Sequence, residues 1–431
     1  MKIVDVQWYS YRLPLLDSFT TTHGVMTARE GIIVQVITEQ GISGIGEIAP
    51  LPAFGGGSIA DACSLLPPLV ARLQDKTLDE ALDLLLAGGI DICRGEGGGA
   101  VRGGPLWSPG VPASAFSTLC GLEIALLDAI GKAEGCGVST LLSQAGTMPR
   151  ATVPVNAMIG ASTTEAAIAA AREARRNGFR CVKLKVLQYP LSQYPLSGSK
   201  RVAAHQPLHA RGVYTRKPKR SIDPAPGESI REEVERVAAV RDAIGPTMHL
   251  RLDANEAWNL EEAIAILSQC VPYNIQYVEQ PLKAHDLAGM HTLRRSVPIP
   301  IAVDEALHGL ESAQLVLDNE AADILVIKPQ LAGGLRAGRQ IIQAAAERGV
   351  RSVITSAIET GIGVVAALHL AAASPAVTLE CGLATLHLLV DDLVMDNLSL
   401  RDGLLSVPTG PGLGVALDRE ALDRFSFRGT A

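Results

Sequence analysis

Long apolar runs are missing from this sequence. It has no stretch of 18 or more consecutive apolar residues, so it predicts no transmembrane helix. The opening segment, MKIVDVQWYSYRLPL, also lacks the apolar core and the small-residue cleavage pattern of a signal peptide. Together these absences predict a cytoplasmic protein that does not bind a membrane.

Paired cysteines and excess positive charge are absent as well. The 7 cysteines are scattered and form no CxxC pair, which argues for a reducing compartment and against a structural zinc site. A net charge of −7 gives no electrostatic reason to expect nucleic acid as a partner. A small anionic substrate is still compatible with this charge, because a bound metal can reverse the local field. The oligomeric state is left open.

The chain of 431 residues is long enough for two domains, and its pattern changes near residue 150. Region 1–150 has alternating, β-branched runs followed by helical stretches, which predicts an α+β domain. In region 151–385, short apolar strands alternate with helices. Eight such strands predict an α/β fold. A (β/α) barrel is favoured over a doubly wound sheet, because no GxGxxG motif follows a strand with an acidic residue downstream.

Three further segments complete this domain assignment. The tail, 386–431, is predicted to pack back on the first domain. Residues 88–113 are rich in glycine and proline. Residues 188–227 stand where a short strand-to-helix connection belongs, and a loop of that length is usually functional or disordered. Disorder is the preferred interpretation, with a lid or partner-docking loop as the alternative.

Charged residues end successive strands of the predicted barrel. Asp253, Glu279, Asp304 and Lys328 follow one another at steps of 26, 25 and 24 residues, each about one βα unit. The C-terminal ends of the strands line the active-site face of a barrel. Three buried carboxylates would repel one another if they were left unpaired. A hard cation with oxygen ligands, Mg²⁺, therefore fits better than zinc. Helix capping or salt bridging is the alternative for each single carboxylate.

Two lysines on the second predicted barrel strand complete the pattern. Lys183 and Lys185 alternate in VKLKV, so both side chains point to one face. Adjacent ammonium groups are expected to lower each other's pKa, and a neutral lysine can act as a base. Lys328, four strands further on, should face Lys185 across the metal. Asn255, two residues after Asp253, is expected on the same strand face as Asp253, where it could assist the site.

The motifs KLK, DAN, VEQP, VDE and IKP resemble those of the enolase superfamily, muconate-lactonizing subgroup. The resemblance spans nearly the whole chain and identifies region 1–150 as a capping domain. It implies that Asp253, Glu279 and Asp304 bind Mg²⁺ and that Lys185 is the general acid and base. In such sites the metal binds a substrate carboxylate, and a lysine removes the proton on the neighbouring carbon.

Within that subgroup, REGIIVQV, GEIAPLPAFG, RLDANEAW and GLATLHLLVDDL resemble the o-succinylbenzoate synthase family. That likeness implies dehydration of a cyclohexadiene carboxylate to o-succinylbenzoate in menaquinone or phylloquinone synthesis. Lys185 would perform both steps, and Lys328 would stay protonated beside the anionic intermediate. Ser356 and Glu359 follow another strand and are predicted to line the pocket. Lys183 and Asn255 are likewise predicted to bind substrate.

Several competing functions use the same residues. A muconate-type cycloisomerase is the nearest alternative. A dipeptide epimerase or N-succinylamino acid racemase needs both lysines as bases, and the DxD pattern that often accompanies that function is missing from CGLATLHLLVDDL. A non-catalytic barrel would be signalled by loss of a metal ligand or central lysine. A Schiff-base aldolase would not need the three carboxylates.

Overall fold

The computed structural model describes residues 1–21, 24–94, 111–161, 163–186, 226–396 and 398–427. Most of the predicted disordered insertion, 188–227, and most of the segment 88–113 therefore lie outside the described residues. No helix in the described ranges combines the length and the apolar character needed to cross a bilayer. All 7 cysteines are described and all are unpaired.

The N-terminal region is a three-stranded antiparallel sheet with helices packed against it. Its strands, in the spatial order β1-β2-β3, are β1 (Ile3–Thr21), β2 (Gly24–Thr38) and β3 (Ser43–Ile48). Its helices are α1 (Ile59–Leu73), α2 (Leu78–Arg94), α3 (Ala115–Glu134) and α4 (Val138–Leu142). Helix α3 lies close to β3, because Gly44 and Gly46 leave room for its backbone.

The central region contains a seven-stranded parallel sheet whose spatial order follows the chain. Its strands are β5 (Ala157–Ile159), β6 (Cys181–Lys185), β7 (His249–Asp253), β8 (Ile275–Glu279), β9 (Ile301–Val303), β10 (Ile324–Ile327) and β11 (Arg351–Ile354). Most residues of these strands are buried. The sheet confirms the predicted alternation of parallel strands with helices.

Helices separate these strands along the chain. They are α5 (Thr164–Arg176), α6 (Pro226–Ile244), α7 (Leu260–Cys270), α8 (Leu287–Ser296), α9 (Gly309–Asp318), α10 (Pro329–Ala332), α11 (Leu335–Glu347) and α12 (Gly361–Ala372). Local sequence sets several of their starts. Asn259 and Glu262 form a capping box at α7, for example, so two backbone N–H groups of its first turn are satisfied.

The predicted eighth strand, 377–383, is not a strand in the described structure. Instead, Cys381 forms one parallel bridge to Val155, and Gly382 forms one to Thr355. The prediction of eight regular strands was therefore wrong at this position. Only one residue of the segment pairs with each edge of the sheet, so the segment forms no continuous ladder despite its apolar pattern.

The C-terminal segment contacts both preceding regions. Strands β12 (Leu400–Arg401) and β13 (Leu404–Ser406) join β4 (Thr152–Pro154) in a small antiparallel sheet. Helix α13 (Arg419–Phe425) follows. Ser426 and Leu389 form isolated bridges to strand β1. The segment thus lies against the N-terminal sheet and the start of the central region.

Buried carboxylates of the N-terminal region cap helices of the central region. Glu47 on β3 accepts hydrogen bonds from the backbone N–H groups of Thr360 (3.0 Å) and Gly363 (2.8 Å), at the start of α12. Glu123 on α3 accepts one from the N–H of Leu335 at the start of α11, at 2.5 Å. Helix N-termini leave N–H groups unpaired and favour negative charge, so these contacts fix the two regions together.

Candidate active site

The strand ends bring the predicted residues together at one edge of the parallel sheet. Lys185 is in register with Asp253, and Asp253 is in register with Glu279. Asp304 directly follows β9, and Lys328 directly follows β10. These side chains are almost wholly removed from solvent. The 24- to 26-residue spacing therefore identified ends of neighbouring strands, with Asp253 and Glu279 as register partners and with Asp304 and Lys328 just after β9 and β10.

Lys183 lies between two of the predicted metal ligands. Its Nζ is 2.7 Å from Glu279 Oε1 and 3.1 Å from Asp253 Oδ2. Burial lowers the pKa of Lys183, but the negative charges of Asp253 and Glu279 outweigh burial and hold the pKa well above its usual range. The sequence-based expectation that both lysines have lowered pKa values was wrong for Lys183, because it considered the neighbouring ammonium and not the carboxylates.

Lys185 has a different environment from Lys183. Its Nζ donates to Asn255 Oδ1 at 2.6 Å and is 3.8 Å from Asp253 Oδ2. Burial is the main cause that lowers the pKa of Lys185, the nearby Lys183 lowers it further, and Asp253 only partly opposes the shift. Of the lysines in the KxK motif, Lys185 is therefore the one whose neutral form is favoured.

Asn255 reaches Lys185 from beyond the end of β7. Its φ of 43° lies in the left-handed region, which asparagine tolerates better than most residues. The expected position on the same strand face as Asp253 was therefore wrong, since the strand ends at Asp253. Asn255 Nδ2 donates to Glu305 Oε1 at 3.0 Å, so the amide joins Lys185 to a second buried carboxyl group.

Lys328 is held by a carboxylate and an aromatic ring. Its Nζ donates to Asp304 Oδ1, and it lies 4.8 Å from the centroid of the Phe54 ring. Both contacts place negative electrostatic potential beside Nζ, from the carboxylate and from the face of the ring. Phe54 itself is fixed by a 2.9 Å contact between its carbonyl oxygen and Nε2 of His308.

One cavity joins these groups. Among the predicted site residues it is lined by Lys183, Lys185, Asp253, Asn255, Asp304, Lys328 and Ser356. Its remaining walls include Leu51, Phe54, Asn156, Met158 and Ile358. The cavity therefore places three lysines and two carboxylates against a largely apolar surface.

Two residues predicted to bind substrate differ in their placement. Ser356 borders the cavity, and its Oγ lies 2.8 Å from Thr385 Oγ1. Glu359 is buried and is not among the residues that line the cavity; its Oε2 accepts from the N–H of Ala357 at 2.7 Å. Burial and the nearby Glu47 raise the pKa of Glu359 to about 7.

The chemistry of the donor set fits a hard divalent cation. Asp253, Glu279 and Asp304 offer carboxylate oxygens, and Glu279 Oε2 is buried without a hydrogen-bond partner in the described part of the chain. Burial raises the pKa of Glu279 to about 7. Within the same described ranges, no three His, Cys, Asp or Glu side chains already stand as a metal-binding group. Lysine ammonium groups pair with the carboxylates instead.

Arg29 and Phe54 lie in REGIIVQV and GEIAPLPAFG, segments that the sequence marked by resemblance without assigning either residue a role, and Phe54 lines the cavity. The guanidinium of Arg29 donates to the carbonyl oxygens of Ala49 (2.6 Å), Pro50 (2.7 Å) and Ala357 (3.1 Å). It therefore ties the segment that carries Phe54 to the loop after β11. Predicting this contact would have required the pairing of residues 328 positions apart.

Comparisons with known proteins add to this geometry. The profile of a family described as enolase C-terminal domain-like matches residues 166–421. A second profile, described as MenC, N-terminal domain, matches residues 3–85. The first covers more than half of the chain.

Individual relatives differ in how much of the chain they match. An o-succinylbenzoate synthase of Thermobifida fusca (strain YX) is 41% identical over 181 residues, which are 42% of this chain and 56% of that protein. The chain thus spans little more than half of that relative. Muconate cycloisomerase 1 of Rhodococcus opacus is 27% identical over 426 residues, 98% of each chain.

A solved structure matches the overall fold. The dipeptide epimerase from Enterococcus faecalis V583, complexed with Mg and the dipeptide L-Leu-L-Tyr, superposes with a TM-score of 0.76. The superposition covers 96% of this chain and 100% of the epimerase, at 23% sequence identity. Similarity at this level of identity concerns the fold alone.

Proposed function

The chain belongs to the enolase superfamily, and from that premise we propose that it is an o-succinylbenzoate synthase that requires Mg²⁺. Its substrate would be a cyclohexadiene carboxylate that loses water. The observation that carries this proposal is the cavity in which Lys185 and Lys328 accompany Asp253 and Asp304. The profile match over residues 3–85 and the 41% identical synthase favour this reaction over others of the superfamily.

Lys185 would move the protons of the reaction. In its neutral form, favoured by burial, Nζ takes the proton from the carbon next to the substrate carboxylate. The electrons of that C–H bond delocalise into the carboxylate as an enediolate. They then return to form the ring double bond as the C–O bond to the hydroxyl breaks. Lys185 gives its proton to the departing hydroxyl, which leaves as water, and the ring becomes aromatic.

Lys328 would act through its charge. Its Nζ, held by the contacts with Asp304 and Phe54, would stabilise negative charge that develops on the substrate. Lys183, Asn255 and Ser356 would bind substrate or orient groups that do. A substrate contact by Glu359 stays a prediction, because Glu359 is not among the residues that line the cavity.

Magnesium would be held by Asp253, Glu279 and Asp304. When bound, it would bind the substrate carboxylate and stabilise the additional negative charge formed after proton removal. The ammonium of Lys183 would then have to leave its present contacts with Asp253 and Glu279. Competition between this ammonium and the cation follows from the charges of both.

A spectrophotometric assay tests the proposal. Purified protein is mixed with the cyclohexadiene precursor of o-succinylbenzoate, with Mg²⁺ and with EDTA, and the aromatic product is followed. Product is expected with Mg²⁺ alone. If no aromatic product forms with Mg²⁺ present, the synthase function is refuted.

A muconate-type cycloisomerase is the second candidate, because that relative aligns over 98% of each chain. It is tested with cis,cis-muconate in the same cuvette. Epimerisation of a dipeptide or an N-succinylamino acid would require proton removal by Lys328 as well as Lys185. Deuterium exchange into both enantiomers of such a substrate would support that alternative.

We infer that the sheet closes into a (β/α) barrel, with 377–383 in the place of the eighth strand, because Cys381 and Gly382 bridge towards opposite edges. Residues 151–385 would form this catalytic domain. Residues 1–150 would form the capping domain, with 386–431 packed on it.

A further inference from the structure

A buried arginine lies in the parallel sheet, below the candidate active site. Arg251 on β7 is fully buried and in register with Lys183. Its guanidinium donates to Glu380 Oε2 (2.8 Å), to the Glu380 carbonyl (2.7 Å) and to Gln276 Oε1 (2.6 Å). It also lies 4.7 Å from the centre of the Tyr277 ring. Its orientation is therefore fixed from several sides.

The same guanidinium fixes the amide of Asn156. Arg251 Nη1 donates to Asn156 Oδ1 at 3.2 Å. A guanidinium has no acceptor, so the amide oxygen must face it and the NH₂ group must point elsewhere. The backbone of Asn156 is held as well, since its N–H donates to the carbonyl of Cys381 at 3.0 Å.

Asn156 borders the cavity that contains Lys185 and Lys328. It is buried, with 4% of its surface exposed. Within the described ranges, Nδ2 has one hydrogen-bond contact, with the carbonyl oxygen of the adjacent Ala157 at 3.4 Å. That distance is beyond the usual range for a strong N–H···O bond, and one contact uses only one of the two N–H groups.

A purely structural explanation of Arg251 is an ion pair with Glu380 inside the sheet. Apolar residues of similar volume would often serve the core as well or better than a buried ion pair. That explanation also does not account for the hydrogen bond from Arg251 to Asn156. A role in orienting the Asn156 amide, which lines the cavity, does account for it.

We propose that Asn156 donates an N–H to a carbonyl oxygen of the substrate, at a point separate from its metal-binding carboxylate, and that Arg251 is the positioning residue for this amide. The proposal rests on the proposed function, because it adds a substrate contact to the same site. In o-succinylbenzoate the acceptor is the ketone oxygen of the succinyl group. In an N-succinylamino acid it is the amide carbonyl oxygen.

Two substitutions separate binding from folding. Asn156→Ala removes the donor, and Asn156→Asp keeps an oxygen for Arg251 but replaces the donor by a second acceptor. Calorimetry with Mg²⁺ measures the Kd of o-succinylbenzoate, with benzoate as the ligand that lacks the carbonyl group. Asn156→Ala should weaken binding of o-succinylbenzoate about tenfold, as for one lost hydrogen bond, and Asn156→Asp at least as much. Binding of benzoate should change less than about twofold.

Thermal denaturation and kinetics distinguish this role from a structural one. Asn156→Asp should keep or raise the Tm, because it forms an ion pair with Arg251. Asn156→Ala should raise KM with little change in kcat, the pattern of a contact made equally in ground and transition states. Wild-type affinity in Asn156→Asp, or an equal loss for both ligands, overturns the proposal.

Failure of the synthase function gives a different result. The wild type would then form no aromatic product, and the pair N-succinyl-L-lysine and L-lysine replaces the first pair of ligands. Asn156→Asp is again expected to bind the carbonyl-containing ligand, N-succinyl-L-lysine, more weakly than the wild type does. The proposed contact does not exist if the wild type binds o-succinylbenzoate no more tightly than benzoate and binds N-succinyl-L-lysine no more tightly than L-lysine.

Discussion

Replacing Lys183 with methionine should destabilise the metal-free protein and increase the stabilisation that Mg²⁺ provides. Lys183 Nζ is 2.7 Å from Glu279 and 3.1 Å from Asp253, and both carboxylates are buried. Removing one partner of a buried ion pair costs about 3–5 kcal/mol. The lower end of that range is expected at neutral pH, because Glu279 has a pKa of about 7 and can take up a proton.

Thermal denaturation with Mg²⁺ and with EDTA measures both effects. In EDTA the Tm of Lys183→Met should lie several degrees below that of the wild type. Added Mg²⁺ should raise the Tm of the variant more than that of the wild type, because the cation no longer competes with an ammonium group and binding to the folded state stabilises it.

Lys132→Met is the matched control. Lys132 Nζ is 2.6 Å from Asp128 Oδ2, a buried carboxylate outside the candidate active site. This variant should also lose stability in EDTA, but Mg²⁺ should not restore it selectively. An equal response of both variants to Mg²⁺, or no response of Lys183→Met, would refute the assignment of Asp253 and Glu279 as metal ligands.

Three further substitutions test the base, the packing and the response to acid. Lys185→Ala should reduce turnover at least about 10²-fold with little change in Tm, because it removes the general base; deuterium exchange of the substrate proton measures this, and substantial remaining exchange would contradict the role. Gly46→Ala should cost about 1–3 kcal/mol in urea denaturation, because the added Cβ would lie 2.0 Å from the carbonyl oxygen of Gly121. Gly160→Ala, with no atom within 4 Å of the added Cβ, is its control. His369 is buried, and burial lowers its pKa from 6.5 to about 4, so the unfolded chain binds its proton first. The stability that neutral His369 contributes is complete above about pH 6.5 and decreases by ~3 kcal/mol as the pH falls to about 4. Urea midpoints of wild type and His369→Gln should therefore converge on acidification, and parallel curves would contradict this assignment.

The strand-end residues could be predicted because a parallel β/α repeat has a nearly constant length. That regularity predicts Asp253 and Glu279 as neighbours at strand ends, and the two residues are in register. The same regularity failed at 377–383, where an apolar pattern is compatible with a strand but hydrogen bonds form at only one residue for each edge. Local pattern cannot distinguish a full ladder from two isolated bridges.

Contacts between distant segments could not be predicted from local pattern. Glu47 caps α12 across 313 residues, and its motif, GIGEI, reads only as a strand. The charge state of Lys183 was also beyond sequence reasoning. Its pKa depends on which groups surround Nζ in the folded chain, and the charges of Asp253 and Glu279 outweigh the effect of burial.

The carboxylates of Glu47 and Glu123 have a consequence for any attempt to divide the chain. Each satisfies the N-terminus of a helix that belongs to the central region, α12 and α11 respectively. A fragment beginning near residue 150 would expose these helix ends to water, and the complementary fragment would contain two carboxylates without their donors. Neither fragment should fold well when produced separately. Production of both in one cell should restore the missing partners of each.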